Sequence, residues 1–66
     1  MRIRLNGEIR EIADGLTLAR LLDDLGIDPR SVAVAVNATV VPRASLNARP
    51  LAEQDEVEVI EAVGGG

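Results

Sequence analysis

The residues best placed to do chemistry are the last three. Gly64, Gly65 and Gly66 end at a carboxylate, directly after the alternating run Glu56-Val57-Glu58-Val59-Ile60-Glu61-Ala62-Val63. Glycine lacks a Cβ, so such an end threads into a channel too narrow for any other residue and adapts to several partners. The Gly66 carboxylate is the expected reactive group. Elsewhere the chain offers little reactive chemistry, because its 66 residues include no Cys, His, Lys or aromatic residue. Ser31 and Ser45 have no histidine to activate them, and no acid–base pair is evident among the carboxylates. A Gly-rich end is also compatible with a frayed terminus or a linker, so the rest of the chain has to decide.

Composition narrows the classes. Sixty-six residues fit one domain with a small core, and 47% hydrophobic residues without Phe, Trp or Tyr mean a core of Val, Leu, Ile and Ala. The net charge of −4, with all seven cations Arg, speaks against nucleic-acid binding, which needs a cationic face and favours aromatic platforms. No apolar run is long enough to span a membrane, and Met1-Arg2-Ile3-Arg4 alternates where a signal peptide is continuously apolar, so a soluble cytoplasmic protein is expected. Glu53, Asp55, Glu56, Glu58 and Glu61 fall in a stretch without Arg that leads into the glycines. That stretch either steers the tail toward a basic partner or is a solvated strand face.

These residues need elements to hold them. Arg2–Leu5 alternates, Asn6-Gly7 is a strong hairpin signal, and Glu8–Ile12 supplies the return strand, with Ile3 and Leu5 inward and Arg2 and Arg4 outward. Thr17 is a plausible N-cap, and Leu18, Leu21, Leu22 and Leu25 make one helical stripe of about two turns. Gly26 sits at the left-handed C′ position, and Asp28-Pro29 prevents resumption. Asp23 and Asp24 oppose the helix dipole with no compensation evident from sequence. Val32–Val36 is apolar throughout and reads as an interior strand. One of its faces, either Val32, Val34 and Val36 or Ala33 and Ala35, is expected to remain a mild apolar patch.

Asn37-Ala38 then turns into Thr39-Val40-Val41, stopped by Pro42, and Arg43–Gln54 reads as an irregular connection with room for a helical turn. In the last strand, from Glu56 to about Val63, Val57 and Val59 point inward. Glu58, Ile60 and Ala62 point outward, which makes Ile60, Ala62 and Val63, with Gly64 and Gly65, the expected partner-binding residues. The expectation is an α+β fold, a mixed four- to five-stranded sheet crossed by one helix, comprising a single domain over 1–63 and a Gly-rich tail over 64–66.

The element order, the run Val32-Ala33-Val34-Ala35-Val36-Asn37-Ala38-Thr39-Val40-Val41-Pro42-Arg43 and the Gly-Gly end together resemble the ThiS-type sulfur carriers of thiamine thiazole synthesis. The resemblance covers the whole chain and implies a ubiquitin-like β-grasp fold. It implies a cosubstrate rather than an enzyme, binding no cofactor or metal itself and monomeric when free. A ThiF-type adenylating partner would join the Gly66 carboxylate to AMP from ATP. A cysteine desulfurase or other sulfur-donor system would convert it to a thiocarboxylate, and a ThiG-type thiazole synthase would take the sulfur. The small subunit of molybdopterin synthase shares the terminal Gly-Gly, but such subunits tend to be longer and carry an early aromatic-rich segment. A rival of another class is a β-grasp interaction module whose glycines do nothing. Arg43 fits either an ion pair with a C-terminal acid or a docking contact, and Asn37 reads as a turn residue rather than a ligand contact.

Overall fold

The computed structural model describes residues 1–61. Ala62, Val63 and the tail Gly64, Gly65 and Gly66, to which the sequence assigns the end of the last strand and the reactive group, lie outside the described residues. Five strands form one sheet: β1 (Arg2–Leu5), β2 (Glu8–Glu11), β3 (Val32–Val36), β4 (Thr39–Val41) and β5 (Glu56–Glu61), in the order β2-β1-β5-β3-β4. β1 and β5 run parallel and the other pairs antiparallel, so the sheet is mixed. One helix, α1 (Leu18–Asp24), packs against it in the expected α+β arrangement.

Each end of α1 has a local cause. Thr17 is extended, and its hydroxyl accepts from the Arg20 amide at 3.2 Å. At the other end Gly26 takes φ +71°, its N–H donates to Asp23 O and that of Ile27 to Leu22 O, which closes a Schellman motif. Asp24 does have a partner: Arg20, one turn earlier, donates to it at 3.0 Å. An exposed i,i+4 pair of this kind contributes about 0.3–0.5 kcal/mol, enough to soften the clash with the dipole. Asp28-Pro29 starts a short 3₁₀ turn, Pro29–Ser31, which the Asp28 side chain caps by accepting from the Arg30 amide.

The core lies between helix and sheet. Leu18, Leu21 and Leu22 from α1 meet Ile3, Leu5, Val34, Val36, Val41 and Val57, with Leu25 and Val59 packed at its margin. Burying each such side chain contributes about 1.5–3 kcal/mol. Two core members come from the connection expected to be irregular. Arg43–Ala48 is a 3₁₀ segment that buries Leu46, and Leu51 follows. The Leu51 amide bonds Leu16 O at 2.8 Å, and the Leu18 amide bonds Arg49 O at 3.1 Å, so the connection is stitched to the start of α1. Among the described residues no helix is long and apolar enough to cross a membrane.

Candidate functional site

The face of the sheet away from α1 follows from strand alternation. Val57 and Val59 turn to the core, so Glu56, Glu58 and Ile60 turn outward, as the sequence predicts. In the β3–β5 register Ile60 sits beside Ala33 and Glu58 beside Ala35. Ala35 in turn sits beside Val40 on β4. Ile60 is 58% and Val40 69% exposed, and Ala33 is exposed as well. The alternatives left open for β3 thus resolve: Val34 and Val36 are buried, and the Ala33–Ala35 side forms the apolar strip.

The other half of this face is charged. Arg2 pairs with Glu11 at 3.2 Å across β1 and β2, and Arg4 lies between Ile9 and Glu56. Arg2, Arg4, Glu11, Glu53 and Glu56 line an open cleft of about 830 Å³. Its mixed charges give no single-sign field for an ionic ligand. Small apolar strip and charged flank thus divide this face of the sheet, and the strip is the half that contains the final described residues of β5.

The five clustered acids do not share one surface. Glu58 is outward and exposed, whereas Glu61 pairs with Val32 in the phase of Val57 and Val59, toward the helix side. Asp55 is buried at 8% exposure and serves the fold, accepting from Asn37 Nδ2 at 3.0 Å and from the Ala52 amide at 2.8 Å. Asn37 is a turn residue at φ +50°, and its Oδ1 also accepts from the Glu56 amide. Arg43 forms no ion pair among the described residues, so the suggested bond to a C-terminal acid is not made within them. The same set contains no group of three or more metal-ligating side chains.

Of the expected site residues, the structure therefore places Ile60; Ala62, Val63, Gly64, Gly65 and Gly66 are outside the described residues. Sequence reasoning did not single out Val40. Its signal was available in the alternation of Thr39-Val40-Val41, with Val41 buried, but a three-residue strand has no face until its partner is known.

Known proteins share the sequence pattern and the fold of this chain. The profile of the ThiS family matches residues 3–66. A thiazole synthase from Magnetococcus marinus is 46% identical over all 66 residues, although the chain spans only 20% of that protein's length. The sulfur carrier protein ThiS of Thermus thermophilus is 37% identical over 62 residues, 94% of this chain and 95% of that one. A crystal structure of a thiamine biosynthesis protein (ThiS) from Geobacter metallireducens superposes with a TM-score of 0.88 at 29% identity, covering both chains completely.

Proposed function

The chain belongs to the ThiS family of sulfur carriers, and on that premise we propose that its Gly66 carboxylate is the group that carries sulfur for thiazole synthesis. A carboxylate resists nucleophilic attack because its charge is delocalised. A ThiF-type partner overcomes this when the carboxylate oxygen attacks the α-phosphorus of ATP, releasing pyrophosphate and leaving an acyl adenylate. Sulfide then attacks the acyl carbon and AMP departs; where a cysteine desulfurase system supplies a persulfide instead, its terminal sulfur attacks in the same way and a thiol cleaves the S–S bond of the resulting acyl disulfide, becoming a disulfide itself. The product is a thiocarboxylate whose sulfur is a good nucleophile. In this scheme ATP, metal and acid–base groups reside on the partners, and the carrier provides a reachable terminus.

The observation that carries the reading is the family match running through Gly66, together with the apolar strip of Ile60, Ala33 and Val40 on the outward face of β5, β3 and β4. The strip suits docking of an apolar partner surface, with Glu58 at its rim attracting a cation. We assign Ala62, Val63, Gly64 and Gly65 to the same partner contact. Thiazole synthase as the sulfur acceptor draws support from two relatives of that name, the second from Paramagnetospirillum magneticum at 36% identity, each similar to this chain over 20% of its own length.

Intact-mass spectrometry tests the reading. The chain, ATP, sulfide and a ThiF-type enzyme are expected to give a mass shift of one oxygen exchanged for sulfur, located at the C-terminus and absent when Gly66 is deleted. An unshifted mass with a demonstrably active enzyme refutes it. Retained partner binding by the chain without Gly66 in that event identifies an interaction module instead.

A further inference from the structure

β5 is held unequally along its length. On the β3 side its ladder continues from Val57 to Glu61. On the β1 side it pairs only at Glu56 and Val57, because β1 ends at Leu5 and the chain turns back through Asn6 and Gly7. Asn6 extends that short side. Its amide donates to Val57 O at 2.9 Å, as the next member of a parallel ladder does. Its side chain then bridges Val59: Oδ1 accepts from the Val59 amide at 2.9 Å, and Nδ2 reaches Val59 O at 3.4 Å. The carboxamide thus stands in for the peptide unit that β1 no longer supplies. Among the described residues it makes the last bond on that side of β5.

We propose that Asn6 is a positioning residue for the carrier reaction, its side-chain bridge to Val59 aiming the strand that leads to the terminal glycines; this rests on the sulfur-carrier reading. Gly66 is five positions beyond Glu61, so the direction of β5 sets where the tail begins its path into a partner. Held on one side only, residues 58–61 can pivot on the β3 ladder. A strand end free to pivot must then be ordered on docking, which weakens productive binding and leaves the chemistry after docking unchanged. The bridge spans 53 positions of sequence and is solvent-exposed, so the hydrophobic core does not depend on it.

Asn6→Gly tests this, because glycine accepts the left-handed turn conformation, φ +49° at Asn6, while removing the bridge. Amide exchange by NMR and steady-state thiocarboxylate formation are measured on the same full-length samples, with a ThiF-type enzyme, ATP and sulfide. The expected result is roughly tenfold faster exchange at Val59 and an increase of about fivefold or more in KM for the carrier, with kcat within about twofold. Asn6→Asp keeps the oxygen that accepts from Val59 and is expected to recover part of the KM, which a merely space-filling side chain does not explain. Normal turnover of the native chain with an unchanged KM for Asn6→Gly overturns the role of Asn6 alone. A raised KM with unchanged exchange at Val59 also overturns it. No thiocarboxylate on the native chain overturns the carrier reading and this role together.

Discussion

The two hairpins of this sheet are built to one plan and differ in instructive details. β1–β2 turns through Asn6 and Gly7 at φ +49° and +84°; β3–β4 turns through Asn37 and Ala38 at φ +50° and +70°. Both have the two left-handed residues of a type I′ turn, whose twist suits the flanking strands. In both, the asparagine side chain reaches β5. Asn37 grips its start through Asp55 and the Glu56 amide, and Asn6 grips it further on through Val59. The second turn residue differs: glycine is at ease there, whereas Ala38 bears the left-handed cost of an L residue, about 1–2 kcal/mol. The surroundings differ as well, since the Asn37 network is part-buried around a carboxylate and the Asn6 bridge is exposed. Equal local chemistry thus serves stability in one hairpin and, as proposed, aim in the other.

The sharpest separation should come from replacing each asparagine by glycine. Asn37→Gly strands the buried Asp55 without one of its donors and is expected to cost about 2–3 kcal/mol. Asn6→Gly exposes its partners only to water and should cost about 1 kcal/mol or less. Urea midpoints at constant m-value measure both. Equal losses would show that the exposed bridge is as much a part of folding as the buried network.

A smaller effect of opposite sign is expected at the second turn position. Ala38→Gly should stabilise by about 0.5–1 kcal/mol, the relief of strain being partly offset by greater freedom of the unfolded chain. Gly7→Ala should destabilise by a similar amount through backbone strain alone, since a Cβ there meets nothing within 4 Å. The double variant should lie near the parent. A stabilising Gly7→Ala in thermal melts would contradict the type I′ assignment.

Smallest in stability, and most informative about function, is the pair of exposed strand residues Ile9 and Val40. Either one changed to Glu should alter stability by about 0.5 kcal/mol or less. Val40 belongs to the strip with Ala33, Ala35 and Ile60, whereas Ile9 lies beside Arg4 in the charged half. Calorimetric titration with a ThiF-type enzyme should therefore show weakened binding for Val40→Glu and little change for Ile9→Glu. The reverse order would move the docking surface to the β1–β2 half of the sheet.

Much of this fold was legible in the chain because local rules agreed with one another. Thr17 and Gly26 bracket a leucine stripe, Asn6-Gly7 and Asn37-Ala38 turn, and the Val57–Val59 alternation assigns inward and outward rows without reference to any partner. The resemblance to a sulfur carrier and the importance given to the terminal glycines likewise came from sequence. The tertiary structure decided what depends on neighbours distant in the chain. It chose the Ala33 side of β3 as the exposed one, because α1 covers the Val34 and Val36 side. It recruited Leu46 and Leu51 from a segment with no periodicity, joined Val40 to Ile60 across three strands, and gave Arg20 to Asp24. Most of all it turned two turn asparagines into clamps on one strand, a role that spacing along the chain does not encode because the partners of Asn6 and Asn37 exist only once β5 is inserted between β1 and β3.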